Sequence, residues 1–206
     1  MPSAVRTSHG LPRLDGEERA LLRDVSWEQY EAILEASGDS GAPRFAYLDG
    51  DLEIMSPSPL HETRKKLLAR LVEAFAEERG IELGALGSTT FRRKAKKRGA
   101  EPDECYVRGA IDARAFPQVP ELVIEVAISP WRLDRLAIYA SLRVKELWLW
   151  HDEALQVFTL RAGGRYSRAR RSTVLPALDL ALLTRFARRG DQTAAVREFR
   201  AAVRSR

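Results

Sequence analysis

The segment Glu121-Leu122-Val123-Ile124-Glu125-Val126-Ala127-Ile128 constrains the fold of this chain more than any other stretch. Its apolar residues stand at both odd and even positions, so the alternation of a strand places them on both faces. A strand of that kind belongs inside a sheet covered on either side. It should be central. Behind it, Ser129-Pro130 reads as a cap and a helix-starting proline. Leu133, Leu136, Ala137 and Ala140 then form the buried side of a helix, and Glu146 to Trp150 the next strand.

The same local chemistry organises the rest of the chain. Residues 1 to 24 read as a flexible lead. Ser26 is placed to cap a short helix through Trp27, Tyr30, Ile33 and Leu34, which Gly38 to Pro43 ends. Arg44 to Leu48 and Leu52 to Met55 flank Asp49-Gly50, a dipeptide that favours the positive dihedrals of a tight hairpin turn. Ser58-Pro59 opens a long helix in which Leu67, Leu68, Leu71, Val72 and Phe75 recur at helical spacing, with Gly80 as its stop. Ile81 to Leu86, Thr89 to Arg93 and Pro102 to Val107 read as strands. So does Leu155 to Leu160, after a turn at Asp152-Glu153, with Arg165 to Arg168 as an added edge. From Asp179 the composition turns helical, and residues 191 to 206 form a helical extension to a domain spanning 25 to 190. A hairpin, a long helix, strands and then strand, helix, strand make a mixed α/β sheet flanked by helices.

Several function classes are excluded. Cys105 is the only cysteine, so neither an internal disulfide nor a thiolate zinc cluster can form, which agrees with a reducing, cytoplasmic compartment. No apolar run approaches the roughly 18 to 20 residues that a membrane helix needs. No glycine-rich nucleotide-binding turn follows a strand, and no Gly-x-Ser-x-Gly elbow presents a serine nucleophile. The net charge of +5 and pI near 9.6 favour a polyanionic partner. The excess gathers in two runs: Arg92, Arg93, Lys94, Lys96, Lys97 and Arg98, and a second from Arg161 to Arg171. Each is either a grip on nucleic-acid phosphates or the solvated rim of a hairpin.

Glu125 is the anomaly in the central strand, because an unpaired buried carboxylate costs several kcal/mol. Either an arginine from a covering helix or a metal ion at that face must compensate it. Asp103, at the start of another strand, can deliver a second carboxylate to the same place if the strands are neighbours. Two carboxylates and a backbone carbonyl, here that of Val126, suit a hard divalent cation that keeps several waters. Such an ion polarises a phosphodiester and activates water.

At these residues the chain resembles the Uma-type putative restriction endonuclease family, placed in the PD-(D/E)XK nuclease superfamily. The likeness runs over roughly residues 25 to 190. It is carried by Tyr47-Leu48-Asp49-Gly50-Asp51-Leu52-Glu53-Ile54-Met55-Ser56-Pro57, by His61 at the head of the long helix, and by Gly87-Ser88-Thr89-Thr90-Phe91. Glu101-Pro102-Asp103-Glu104-Cys105-Tyr106, Glu121 to Val126, and Leu133-Asp134-Arg135-Leu136-Ala137-Ile138-Tyr139 before Glu146-Leu147-Trp148 continue it. The resemblance implies a restriction-endonuclease-like core in which Asp103 and Glu125 bind magnesium or manganese. The superfamily's lysine, two residues after the glutamate, is replaced by Ala127, and the lysine that this family carries on the following helix falls at Arg135. Arginine steadies developing charge but does not serve readily as a general base. Asp49, Glu53, His61 and Glu62 are further candidates for the site.

The expectation is thus a magnesium- or manganese-dependent DNA endonuclease. Asp103 and Glu125 hold the ion, Arg135 steadies charge, and Arg92 to Arg98 grips backbone phosphates. The alternative is a catalytically weak nucleic-acid-binding or regulatory protein on the same fold. A strand edge near Leu155 to Leu160 offers a surface for a homodimer.

Overall fold

The structure, a computed structural model, describes residues 16–38, 42–112 and 114–206. Its elements begin where local signals place them. The Ser26 side chain accepts from the Gln29 amide, and the Gln29 side chain accepts from the Ser26 amide, a reciprocal cap that starts helix α1 (Trp27–Ser37). Ser58 accepts from the His61 amide at 3.2 Å, with Pro59 at the first turn of α2 (Pro59–Glu78). Asp49 (φ 52°) and Gly50 (φ 102°) turn strand β2 (Arg44–Leu48) into β3 (Asp51–Ser56) as an antiparallel hairpin.

The strands divide between two sheets. The first is antiparallel throughout, in the order β1 (Glu18–Leu22), β3, β2, β6 (Arg98–Ala100), β5 (Phe91–Arg93). The second runs β11 (Tyr166–Ala169), β10 (Ala154–Leu160), β9 (Glu146–His151), β8 (Leu122–Val126), β7 (Glu104–Arg108), β4 (Leu83–Ala85), and within it β8 and β9 pair in parallel. Helix α3 (Arg135–Leu142) makes the crossover between that parallel pair. Helices α4 (Leu180–Ala187) and α5 (Gln192–Arg204) follow.

β8 is interior and wholly buried. Leu122, Ile124 and Val126 pack with Trp148, Trp150 and residues of α2, α4 and α5, whereas Val123 joins Cys105, Leu147 and α3 on the opposite face. Ala46, Phe91 and Ala100 of the first sheet belong to that second cluster, so the first sheet and α3 together cover one side of β8. Glu125 shares its face with Val123 and therefore points into this junction. A third cluster, around Trp27, Tyr30, Phe45, Tyr47 and Leu52, seats α1 on the first sheet. No described helix is long and apolar enough to cross a membrane.

Four expectations are corrected. The flexible lead gives way before its end: Glu18–Leu22 is a strand paired along its length with β3, while residues 1–15 lie outside the described ones. Ser129-Pro130 does not cap the following helix. Asp134 does, accepting from the Ala137 amide at 3.0 Å, and the buried side of α3 is Arg135, Ile138, Tyr139 and Leu142. The segment Leu155 to Leu160 is not a free edge, because β11 pairs with it. Finally, α5 is no appendage, since Ala195, Phe199 and Val203 sit in the same core as α2.

Candidate functional site

The antiparallel pairing of β7 with β8 sets Glu104 opposite Ile124, and continuing that register by one residue brings Asp103 opposite Glu125. Cross-strand neighbours on one face stand with Cβ atoms about 5 Å apart. The Val126 amide donates to Asp103 Oδ2 at 2.8 Å. A strand residue's carbonyl leaves from the same edge as its amide, so the Val126 carbonyl is turned toward Asp103 as well.

Both acids are buried, with Asp103 2% and Glu125 3% exposed, yet their protonation differs. Burial alone would raise Asp103, but His61, the Val126 amide and Arg44 outweigh it and hold the carboxyl below its ordinary value. Glu125 is pushed up to about 7, chiefly by burial, and the Asp103 charge pushes in the same direction against Arg135 and Tyr139. Glu125 is the less compensated of the two.

Helix α3 supplies what compensation there is. The Tyr139 hydroxyl donates to Glu125 Oε1, and Arg135 Nε lies 3.9 Å from Oε2, too far for a hydrogen bond. Neither Nε nor Nη1 of Arg135 has a hydrogen-bond partner among the described residues. Its Nη2 donates instead to Glu53 at 2.7 Å. Burial opposes the guanidinium charge, but Glu125 and Glu53 keep Arg135 protonated above its usual value. Glu53, on β3, also accepts from the Arg132 amide at 2.6 Å, from the Leu133 amide at 3.1 Å and from Arg19. It pins the approach to α3 and aims Arg135.

On the other flank, at the head of α2, His61 Nε2 meets Asp103 Oδ1 at 2.9 Å and Nδ1 meets Glu17 at 2.8 Å. Burial would lower His61, but the two carboxylates overcome it and raise the imidazole to about 9, so both ring nitrogens are donors. Arg44 completes the ring, its Nε 4.0 Å from Asp103.

The donor set fits a hard divalent cation: two buried carboxylates facing one another across neighbouring strands, a backbone carbonyl at the same edge, and one carboxylate short of compensating charge. Among the described residues no group of three His, Cys, Asp or Glu stands at ligating distance, so water would fill the remaining positions.

Of the residues expected from the sequence, the structure brings Asp103, Glu125, Val126, Arg135, Glu53 and His61 together. Asp49 and Glu62 stand outside the cluster. Asp49 belongs to the exposed β2–β3 turn and pairs with Arg98, and Glu62 pairs with the buried Lys65 one turn along α2. The basic run forms the β5–β6 hairpin of the first sheet. Arg92, Lys94 and Arg98 meet Glu31, Glu28 and Asp49, whereas Arg93, Lys96 and Lys97 meet no carboxylate among the described residues. Glu17, Arg19, Arg44 and Ser129 join the site without having been expected. Glu17 and Arg19 fall in a charged segment with no strand-like apolar alternation, and no sequence signal marks them.

Residues 27–192 match the family described as Uma2, putative restriction endonuclease. No curated protein matches the chain.

Proposed function

The chain belongs to the Uma2 putative restriction endonuclease family, and from that premise we propose that it is a divalent-metal-dependent nuclease that hydrolyses phosphodiester bonds in DNA. The observation that carries this reading is the cross-strand placement of Asp103 against Glu125, two buried acids of which one remains raised to about 7. A buried carboxylate raised by burial and by a neighbouring acid is the kind of group that functional sites hold, and a bound cation would supply the charge it lacks.

Asp103, Glu125 and the Val126 carbonyl would hold magnesium or manganese. When bound, such an ion supplies Lewis-acid polarisation of a phosphoryl oxygen and a more acidic water. The chain's own groups do the rest. Arg135, held by Glu53, places a permanent positive charge beside Glu125, where it stabilises the charge that builds on phosphate oxygens. It accepts no proton at neutral pH, so it is no general base. His61 holds Asp103 through Oδ1 and keeps that carboxylate ionised. The basic hairpin, through Arg93, Lys96 and Lys97, supplies contacts to backbone phosphates that carry no sequence information.

Plasmid nicking with magnesium or manganese tests the reading on wild type, Asp103→Asn and Glu125→Gln. The proposal expects cleavage by wild type alone, and equal activity in all three overturns it. A second reading, a weak or inactive nucleic-acid binder, is favoured by arginine at position 135. Salt-sensitive DNA binding without cleavage, in wild type and in Arg135→Lys alike, would select it.

A further inference from the structure

We propose that the Ile128 and Ser129 amides, the Ser129 hydroxyl and His61 form an oxyanion pocket for a phosphate group of the nucleic acid, and that Glu17 is its built-in occupant; the choice of ligand rests on the nuclease reading.

The donors converge on one carboxylate. Ser129 Oγ and its amide donate to Glu17 Oε1 at 2.6 and 3.1 Å, while the Ile128 amide and His61 Nδ1 donate to Oε2 at 3.3 and 2.8 Å. Two successive backbone N–H groups aimed at one anion make a small anion-binding concavity. Arg19 adds Nε at 2.9 Å and Nη2 at 2.8 Å from Oε1. A hydroxyl, two amides, an imidazolium and a guanidinium around a pair of oxygens form the donor set that phosphate oxygens take, and a carboxylate mimics its charge and bite. The Glu17 side chain is fully buried there.

The pocket's position fits a substrate group. His61 spans it and the acid pair, with one ring nitrogen on Glu17 and the other on Asp103. A cleft of about 300 Å³ opens from it, lined by Glu17, Arg19, Ser129, Pro130, Trp131 and Arg132. Trp131 stands on the cleft wall, and its buried indole N–H has no hydrogen-bond partner among the described residues.

The occupant sits on an element that can leave. Among the described residues β1 is a five-residue edge strand that pairs with β3 alone, and alternate residues from Glu18 on are exposed. What it turns inward, from Glu17 on, is Glu17, Arg19 and Leu21, two charges and one apolar side chain. Edge strands with few buried apolar contacts belong to the part of a fold that opens first, and here the Arg19 ion pairs with Glu17 and Glu53 set the cost of opening. Glu17 therefore competes with incoming phosphate as a tethered anion at high effective concentration.

The test uses the full chain in chelator, with inorganic phosphate as the probe and its affinity read by phosphorus NMR titration. Removing the tethered competitor in Glu17→Ala should tighten phosphate binding by about tenfold or more, and adding Ser129→Ala to that variant should abolish the gain. Glu17→Gln, which keeps the side chain's size and an accepting oxygen, should fall between wild type and Glu17→Ala, and its binding decides the matter if Glu17→Ala fails to fold. Equal phosphate affinity in wild type and the Glu17 variants, or a gain indifferent to Ser129→Ala, overturns the proposal. No metal or cleavage enters the assay. An inactive protein with the expected phosphate binding would thus sink the nuclease reading and leave the pocket standing, and a nuclease without the Glu17 effect would do the reverse.

Discussion

Arg135 Nη2 lies 2.7 Å from Glu53 Oε1, joining residues 82 positions apart, the first on α3 and the second on β3 of the other sheet. Through this contact the first sheet decides where the α3 guanidinium stands relative to Glu125. The acid pair lies on β8 and at the head of β7, but the guanidinium beside Glu125 is aimed from elsewhere.

Glu53→Ala should therefore be among the most destabilising single changes in the chain. It strips the buried Arg135 of its hydrogen-bonded partner and removes the acceptor of the Arg132 and Leu133 amides. A loss of about 3–5 kcal/mol follows from leaving such a charge unpaired, read from urea unfolding. Glu53→Gln retains an oxygen for the two amides and should cost less. Alanine as harmless as glutamine would show that Glu53 does not anchor α3.

Tyr139→Phe keeps the ring in its core and removes only the hydroxyl that donates to Glu125. That bond favours the charged carboxylate, so without it the Glu125 pKa climbs above its present value of about 7. The acid limb of the pH–cleavage profile should move to higher pH, at a stability cost of about 1–3 kcal/mol. Superimposable profiles would remove Glu125 from the titrating machinery.

Stability should peak in mildly acidic solution. His61 rises from 6.5 to about 9 on folding, so its contribution is complete below pH 6.5 and is lost as pH climbs through 9. Glu125 rises from 4.5 to about 7, so the folded chain again holds the extra proton and loses stability as pH climbs across that interval. Glu17 has the opposite sign: lowered from 4.5 to about 2, it stabilises above pH 4.5 and fails as pH falls through 2. Urea midpoints measured from pH 4 to pH 9.5 should decline on the alkaline side, and a maximum near pH 9 would contradict the assignment of His61 as a doubly bonded imidazolium.

Gly99→Ala tests the packing of α1 on the first sheet. A Cβ there would lie 2.2 Å from the Tyr30 hydroxyl oxygen and 2.8 Å from its Cζ. Tyr30 cannot swing aside freely, because its ring stacks on Tyr47 with centroids 4.7 Å apart. Overpacking of this kind costs about 1–3 kcal/mol, a drop of several degrees in Tm, while Asp103 and Glu125 stay untouched and nicking per folded molecule is unchanged. An unaltered melting curve would mean that the stack yields.

Much of the fold is written within a few residues of where it appears. Ser26 with Gln29, Ser58 with Pro59, Asp49 with Gly50, and the two-faced apolar run of β8 each act through contacts that span at most one turn or one strand. Ser129-Pro130 shows the limit of such signals. It has the composition of a helix start, yet Ser129 Oγ and its amide bond Glu17, 112 positions earlier, and Asp134 caps the helix. The added edge read at Arg165 to Arg168 is β11, and it covers residues 157–160 of β10, part of the surface that the sequence offers for a homodimer.

The sequence by itself determined most of the elements and the central place of β8, because capping, periodicity and the cost of a buried charge are local or compositional, and the family resemblance singled out Asp103 and Glu125 as candidates. Only the tertiary structure decided which charges answer which. Glu53 reaches Arg135, Glu17 reaches His61 and Ser129, and Asp49 and Glu62 are drawn off to Arg98 and Lys65. Coulomb energy depends on separation and burial, and both are set by how two sheets and α3 pack, which no short stretch of chain encodes.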